Sequence, residues 1–344
     1  MAQTLPLFPF MTTKAHGQHN TRRAAKPALH FVNTPSSRPS NKHGRGRILV
    51  GTASWTDPGF IADWYPEDVS AQNRLEWYAT HFNLVEVNST FYAAPNQIQV
   101  KKWCDQTPDG FVFDLKLHRL LSRHSTPVKF LPPNLRRLAG DDEKSIVTPR
   151  LEKALVDVIG EAIEPMVDAG KLGALLLQLS PSFGPRFHSL GELDHLLELL
   201  RDYRVAVELR NRGWVDESHE PETIAYFKSR RTSLVAVDGP PGDHFMIMPA
   251  VEIVTDRRLA YLRAHGRNTK GYVSGRSVAE RFDYDYSEAE LKQIADRARA
   301  FADIAQDTHI IYNNNKSDYA PRAAERFQRI VAAQSPQKGP TFAS

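Results

Sequence analysis

The sequence has one cysteine, Cys104, among 344 residues, which excludes an internal disulfide and any metal site built from several cysteines. A single cysteine also favours a reducing compartment, and we expect the protein in the cytoplasm. No apolar run approaches the roughly 20 residues that a membrane-spanning helix needs, so we expect no membrane contact. The chain also lacks an H-E-x-x-H motif and a Cys/His cluster. We therefore predict no metal site, and no cofactor can be named from the sequence.

Acidic residues are absent from the first 47 positions, which hold eight Lys or Arg. Removing these eight from the 44 basic residues leaves 36, against 40 acidic ones, so the basic character belongs to this tail. Residues 1–46 contain scattered Pro and Ser without an apolar period, and we predict that they are disordered. The same composition is typical of an organelle transit peptide or a nucleic-acid contact, and both alternatives stay open. We also expect a flexible C-terminus at 336–344.

From residue 47 onward, short apolar runs typical of strands alternate with amphipathic segments typical of helices. We predict strands at 48–54, 84–90, 110–116, 172–179, 205–210, 233–238, 258–266 and 309–315. We predict helices near 71–82, 97–106, 151–166, 190–200, 222–230, 287–305 and 319–331. Ser287 and Glu290 form a capping box at the start of the sixth of these helices. A long connection rich in Pro, Arg and Ser, 118–148, is typical of a lid, a binding loop or a disordered segment.

Strands that alternate with helices predict an all-parallel sheet, and eight strands are the number that closes a (β/α)8 barrel. We therefore predict an α/β fold consisting of a single TIM-type barrel over residues 47–335. An open doubly wound sheet is the alternative. That fold usually carries a Gly-rich phosphate loop after a strand, and no G-x-G-x-x-G or P-loop motif occurs here.

Polar side chains follow most of these strands, at the end where barrel enzymes have their active face. Side chains two positions apart on a strand point the same way, so Glu86 with Asn88, or Glu208 with Arg210, could both face the interior. We expect one polar pocket at this end. Its candidate catalytic residues are Glu86, Glu208 and His265. Its candidate substrate-binding residues are Trp55, Asn88, Tyr92, Lys116, Gln178, Arg210, Asp238, Arg263 and Arg267.

These residue types indicate a small ligand with a negative charge. Arg and Lys side chains bind phosphate or carboxylate, and two Glu can act as general acid and base, as in glycoside hydrolysis. We expect an enzyme with hydrolase or phosphate-ester chemistry; a nucleic-acid-binding protein that uses the barrel mouth and the basic tail is the alternative. Structural interpretations also stay open. The charged pairs could be buried ion pairs, His265 a core histidine, and the aromatic residues caps of the core.

Several motifs occur along the chain in a fixed order: GTASWTDPGF (51–60), LEWYATHFNLVEVNSTFY (75–92), VAVELRNRGW (205–214) and YLRAHGR (261–267). Together they resemble the domain-of-unknown-function-72, or YecE-like, family, from residue 48 to the last helix. The resemblance implies a (β/α) barrel but no reaction. It carries over Glu86, Asn88, Ser89, Thr90, Tyr92, Lys116, Gln178, Glu208, Arg210, Trp214, Arg263, His265, Gly266 and Arg267. Members commonly have Ser-Gly-Trp where this chain has Ala53-Ser54-Trp55, a departure that could change the turn that aims Trp55.

Overall fold

Eight parallel strands pair side by side in chain order, which confirms the predicted (β/α)8 barrel. The computed structural model describes residues 45–139, 143–145 and 147–333. The strands are β1 (Arg47–Thr52), β2 (Leu84–Val87), β3 (Val112–Lys116), β4 (Leu172–Gln178), β5 (Val205–Glu208), β6 (Ser233–Leu234 and Ala236–Asp238), β7 (Leu259–Ala264) and β8 (Asp307–Tyr312). The last strand pairs in parallel with the first along the full length of both.

Strand β6 closes the barrel in two pieces. Leu234 pairs with Val207 of β5, whereas Ala236–Asp238 pair with Leu262–Ala264 of β7. Between the two pieces, the Val235 amide donates a hydrogen bond to the Val207 carbonyl at 2.9 Å. Because both edges of the sheet meet on this strand, the doubly wound alternative does not apply.

The strands are buried on both faces, as parallel strands covered by helices must be. Every residue of β2, β5, β7 and β8 is buried. Alternate side chains therefore point into the barrel and against the helices in turn. Any charged residue on the inward face must find its partner inside the barrel.

The helices around the barrel are α1 (Pro58–Asp63), α2 (Arg74–Ala79), α3 (Gln97–Asp105), α4 (Pro149–Asp168), α5 (Asp194–Leu199), α6 (Glu220–Ser229), α7 (Thr269–Ser274), α8 (Val278–Arg281), α9 (Glu288–Ala302) and α10 (Tyr319–Ala333). A side-chain cap accepts a hydrogen bond from a first-turn amide in five of these helices: α1, α3, α4, α7 and α9. The predicted capping box before α9 is confirmed. The Glu290 amide donates to Ser287 Oγ at 3.3 Å, and the Ser287 amide donates to Glu290 Oε2 at 2.8 Å.

Three short helices were not predicted: α1, α7 and α8. Each has only four to six residues, which is too few for an apolar period to show in the sequence. A side-chain cap starts two of them. Asp57 Oδ1 accepts from the Gly59 amide at 3.1 Å, and Asn268 Oδ1 accepts from the Gly271 amide at 3.0 Å.

The long connection after β3 contains short ordered pieces. Two 3-10 turns (Val128–Phe130 and Arg136–Leu138) lie between the two strands of a short antiparallel ribbon, Thr126–Pro127 with Lys144–Ser145. Four of its leucines are buried: Leu120, Leu121, Leu131 and Leu135. These leucines anchor the connection to the barrel, and its action as a lid stays a prediction.

Both chain ends lie largely outside the described residues. The predicted disordered tail contributes only 45–46, and the predicted flexible segment 336–344 contributes nothing. Within the part of the chain that the structure describes, no helix is long and apolar enough to cross a membrane.

An ion-pair cluster ties strands together at the N-terminal end of the barrel. Asp307, the first residue of β8, accepts hydrogen bonds from Arg47 Nε of β1 at 2.7 Å and from Arg204 Nη1, next to β5, at 2.7 Å. Burial alone would raise the pKa of Asp307, but these two hydrogen bonds hold it well below its usual range. The carboxylate therefore stabilises the fold in its ionised form.

We expect Asp307→Asn to lower the free energy of unfolding at pH 7 by about 3 kcal/mol, since two arginines lose a nearly buried partner. A lowered folded-state pKa gives stability that is present above the unfolded pKa of about 4 and is lost as the pH falls through and below it. Urea denaturation should therefore show the difference from the wild type shrinking between pH 5 and pH 3. As a control, Asp303→Asn breaks the exposed pair with Arg45 and should cost less than about 1 kcal/mol. Equal costs for the two variants would contradict the account.

Candidate functional site

One arginine bridges two carboxylates inside the barrel. Arg263 of β7 donates from Nη2 to Glu86 Oε1 of β2 at 2.6 Å, and from Nη1 to Glu208 Oε2 of β5. All three side chains are at most 1% exposed. Charges buried this deeply persist only when they are paired and hydrogen-bonded. The sequence prediction that these three residues share one pocket therefore corresponds to a closed ionic unit in the barrel interior.

Neutral side chains add hydrogen bonds to this unit, although Arg263 Nε is buried and has no hydrogen-bond partner among the described residues. Tyr261 Oη donates to Glu86 Oε2 at 2.9 Å, and Gln178 Oε1 accepts from Arg263 Nη1 at 2.9 Å. Tyr261 lies two positions before Arg263 on β7 and so points the same way. That spacing was the signal in the sequence that would have added Tyr261 to the candidate residues.

The tautomer of His265 follows from its two partners. Asn313 Nδ2 donates to His265 Nδ1 at 2.9 Å, so the ring proton lies on Nε2, which donates to Glu208 Oε1 at 3.0 Å. Burial lowers the pKa of His265 to about 4, although Glu208 opposes this. The imidazole is therefore neutral at physiological pH and acts as a hydrogen-bond donor to the ionic unit.

The two carboxylates have opposite pKa shifts. Burial raises the pKa of Glu86, a rise that Arg263 and Lys116 oppose. Burial would also raise the pKa of Glu208, but Arg263, His265 and Arg210 outweigh it and hold that pKa well below its ordinary value. Carboxyl groups whose environments separate their pKa values are typical of functional sites. Glu86 is the one that takes up a proton first as the pH falls.

Two cations lie above the ionic unit, on the side of the mouth. Lys116 ends β3 and Arg210 follows β5, and both are half-buried. Arg210 Nη1 donates to Glu208 Oε1 at 2.9 Å, and its guanidinium lies 5.3 Å from the ring centre of Tyr272. Its Nε has no hydrogen-bond partner among the described residues. Arg210 therefore binds Glu208 through Nη1 and keeps a donor, Nε, that no described residue accepts from.

The Lys116 amine contacts an aromatic face instead of a carboxylate. Its Nζ lies 4.4 Å from the ring centre of Phe91, and no hydrogen bond or ion pair engages it within the described ranges. Burial lowers the pKa of Lys116 to about 7, and Arg263 adds to this shift while Glu86 and Glu208 oppose it. The amine is thus about half neutral near neutral pH.

His124, which is not among the residues predicted from the sequence, lies against the ring of Phe91. The His124 and Phe91 rings are 5.2 Å apart, centre to centre. His124 Nε2 is buried and has no partner among the described residues. Burial lowers the pKa of His124 to about 4, and the charge of Lys116 adds to the effect. No strand pattern pointed to His124, because it comes from the long connection after β3.

A second carboxylate–histidine contact lies deeper in the barrel. Asp114 Oδ2 and His309 Nδ1 are 2.8 Å apart, and both side chains are fully buried. Asp114 is two positions before Lys116 on β3, so both face inward. The His309 ring is 5.8 Å from that of Tyr261, which connects this pair to the ionic unit above it. Asp114 was not among the residues predicted from the sequence, although a charged residue in the middle of a predicted strand is a signal of such a contact.

Asp238 and Arg267 pair with each other rather than with the ionic unit. Arg267 donates from Nε and Nη2 to the two Asp238 oxygens at 3.0 and 2.8 Å. Tyr286 Oη and Arg297 Nη1 also donate to this carboxylate, at 2.8 and 3.1 Å. The two residues form a separate cluster at the end of β6, packed against α9.

Trp55, Asn88 and Tyr92 have other surroundings. Trp55 packs edge-on against Trp103 of α3 at 5.5 Å and lines an outer groove of about 430 Å³. Asn88 Nδ2 donates to the Ala53 carbonyl at 2.7 Å, which ties the ends of β1 and β2 together. Tyr92 is 60% exposed. These three residues frame the end of the barrel that carries the mouth.

The site therefore has a sealed ionic floor, made of Arg263, Glu86 and Glu208, and a half-buried cationic upper layer, made of Lys116 and Arg210. No group of three or more His, Cys, Asp or Glu among the described residues is arranged to hold a metal ion. The chemistry that the upper layer offers is binding of an anion, through Arg210 and protonated Lys116, and reaction of a neutral amine.

Comparisons with known proteins agree with this architecture. A sequence model described as "Protein of unknown function DUF72" matches residues 49–343. The UPF0759 protein YunF of Bacillus subtilis is 24% identical over 272 residues, which covers 78% of this chain and 89% of that protein. The UPF0759 protein YecE of Escherichia coli K12 is 31% identical over 178 residues, which covers 52% of this chain and 53% of that protein.

Solved structures show the same fold. A DUF72 family protein from Enterococcus faecalis V583 superposes with a TM-score of 0.67 at 24% identity, covering 84% of this chain and 99% of its own. One from Thermotoga maritima MSB8 gives a TM-score of 0.64 at 26% identity, covering 83% and 99%. With the family model matched over most of its length and the barrel present, the chain belongs to the DUF72 family.

Proposed function

We propose that the protein is an enzyme that binds a small molecule bearing a phosphate or carboxylate group at the mouth of the barrel, where Lys116 and Arg210 hold the charged group. One observation carries this proposal. These two half-buried cations still have unused donors, since among the described residues neither the Lys116 amine nor Arg210 Nε has a hydrogen-bond partner. An amine and a guanidinium at the active end of a barrel are well suited to an anion.

The charges around the mouth also favour an anion. Lys116, Arg210 and Arg263 are balanced by only two carboxylates, Glu86 and Glu208, because His265 is neutral. Protonated Lys116 therefore leaves one positive charge in excess in a confined space. A bound phosphate or carboxylate would offset that charge and favour protonation of the amine.

The geometry supports a smaller anion site than the sequence predicted. The Nη1 and Nη2 groups of Arg263 are engaged by Glu86, Glu208 and Gln178, and Arg267 is engaged by Asp238. Glu86 and Glu208 are fully buried beneath the mouth, so we assign them the role of fixing charges rather than touching substrate. Hydrolase or phosphate-ester chemistry stays a prediction from the sequence.

Sulfate tests the anion site directly because its charge does not change between pH 6 and pH 9. We expect sulfate to raise the melting temperature with saturation, since it binds only the native state. The effect should weaken as the pH rises from 6 to 8.5, because Lys116 loses its proton across that range. Lys116→Met and Arg210→Met should each reduce the sulfate response at pH 6 by at least about half, as the loss of one of two charge-assisted contacts implies. Differential scanning fluorimetry measures all three effects.

Lys292→Met is the matched control, because Lys292 is an exposed lysine on the outer helix α9. It should keep the full sulfate response. Chloride at equal ionic strength that stabilises as much as sulfate would contradict the anion site. An undiminished response in both Lys116→Met and Arg210→Met would do the same.

An aromatic rim favours nucleic acid as a second candidate ligand. The exposed aromatic side chains Tyr92, Phe130, Phe187 and Phe245 follow β2, β3, β4 and β6 and are 48–76% exposed. Lys129 lies 5.5 Å from the Phe130 ring, and Arg186 lies 5.0 Å from the Phe187 ring. Exposed rings beside cations are typical of surfaces that stack the bases of single strands.

For nucleic-acid binding at the aromatic rim, we expect the affinity for an oligothymidine strand to fall steeply as the salt concentration rises, because phosphate contacts release counterions. Phe187→Ala should weaken binding by about 1–3 kcal/mol, the range for one stacked base. Ile304→Ala, an equally apolar exposed residue next to the start of β8, should leave it unchanged. Fluorescence anisotropy between 50 and 300 mM salt, about the range over which such contacts weaken, decides the matter. Binding that is absent, or equal in both variants, would rule it out.

A further inference from the structure

The Lys116 amine is placed to react as well as to bind. It ends β3 at the mouth, half-buried, with its Nζ over the face of Phe91 at 4.4 Å. The main chain at this point is fixed, because Thr90 Oγ1 donates to the Lys116 carbonyl at 2.6 Å. No acceptor among the described residues takes a hydrogen bond from the amine. Its lone pair is therefore free whenever the proton leaves.

The charges facing Lys116 come from four different parts of the barrel. Glu86 on β2 and Glu208 on β5 are attractive, but each is already bound to Arg263 of β7. Arg263 and Arg210 repel an ammonium, and the pKa of Lys116 is lowered to about 7, mainly by burial. Desolvation and a neighbouring cation are the two means by which proteins turn a lysine into a nucleophile.

His124 supplies a second neutral base beside the same ring. Its Nε2 is buried without a partner among the described residues, and its pKa is lowered to about 4, chiefly by burial. A neutral imidazole of this kind accepts a proton and gives it back within one reaction cycle. Both Lys116 and His124 contact Phe91, so the two groups lie against one aromatic ring.

We propose that Lys116 forms an imine with the carbonyl carbon of a small aldehyde or ketone that also carries a carboxylate or phosphate. The inference rests on the proposed function, because Arg210 holds the anionic group while Lys116 reacts. The neutral amine adds to the carbonyl carbon, and the carbonyl oxygen takes up a proton from solvent, which gives a carbinol whose nitrogen is an ammonium. His124 accepts the ammonium proton and returns it to the carbinol oxygen. The C–O bond then breaks, water leaves, and a protonated imine remains, with no oxidant or reductant required.

Reductive trapping tests the proposal on the full chain. Glyoxylate, an aldehyde with a carboxylate, is added with sodium cyanoborohydride, and the labelled lysines are quantified by peptide mass spectrometry. At pH 7.5, Lys116 should be labelled at least about tenfold faster than exposed Lys292, because burial lowers the pKa of the Lys116 amine to about 7 and leaves much of it neutral. The labelling rate of Lys116 should level off above about pH 7, where its amine is mostly neutral. Sulfate should slow labelling of Lys116 only.

Variants separate the parts of the proposal. Arg210→Met should slow labelling of Lys116 by glyoxylate but not by uncharged glycolaldehyde. If Lys116 is labelled no faster than Lys292, Lys116 is not a nucleophile and the imine proposal is wrong. If sulfate still stabilises the same preparation, the anion site is unaffected by that result. Fast labelling that neither sulfate nor Arg210→Met slows overturns the anionic substrate class. Circular dichroism confirms that Arg210→Met is folded.

Discussion

The contact of Arg263 with Glu86 and Glu208 is the interaction on which the rest of the barrel interior depends. Removing three charges from water costs far more than one hydrogen bond returns. Arg263 Nε has no partner among the described residues, but the unit persists because every carboxylate oxygen and both Nη groups of Arg263 have partners. Tyr261, Gln178, Arg210 and His265 supply those partners. Arg263, Tyr261 and His265 already donate to the two carboxylates. The Lys116 amine and Arg210 Nε are left without a hydrogen-bond partner among the described residues.

The strand ends therefore have two roles. Arg263, Glu86 and Glu208 stabilise the barrel interior, and the half-buried cations above them can bind a ligand. Arg263, His265 and Arg210 keep Glu208 ionised, and burial keeps His265 neutral although Glu208 opposes this. The upper layer contains Lys116, whose amine changes protonation near neutral pH. The family relationship establishes the fold and says nothing of the ligand. The basic tail that motivated a nucleic-acid interpretation lies largely outside the described residues, so that alternative depends on the aromatic rim alone.

Much of this arrangement could be predicted from the sequence, because a parallel barrel puts every strand end on one face and every second side chain inside. The eight strands, and the shared pocket of Glu86, Glu208, Arg263 and His265, follow from that rule. Which carboxylate pairs with which arginine could not be predicted, since it depends on how the strands are staggered around the barrel. Three residues near the site were not predicted, because they come from a 3-10 turn, a long connection and a six-residue helix: Phe91, His124 and Tyr272. None of these has a period in the sequence.

The most direct test of the ionic unit is a thermodynamic cycle measured by urea denaturation at pH 7. It compares Arg263→Met, the joint change of Glu86→Gln with Glu208→Gln, and all three changes together. If the three charges form one unit, Arg263→Met alone should cost about 3–5 kcal/mol, because it leaves two carboxylates buried without their cation. Adding the two glutamines should then restore part of that loss, so that the triple variant is more stable than Arg263→Met. Costs that simply add to within about 0.5 kcal/mol would show independent residues and contradict the account.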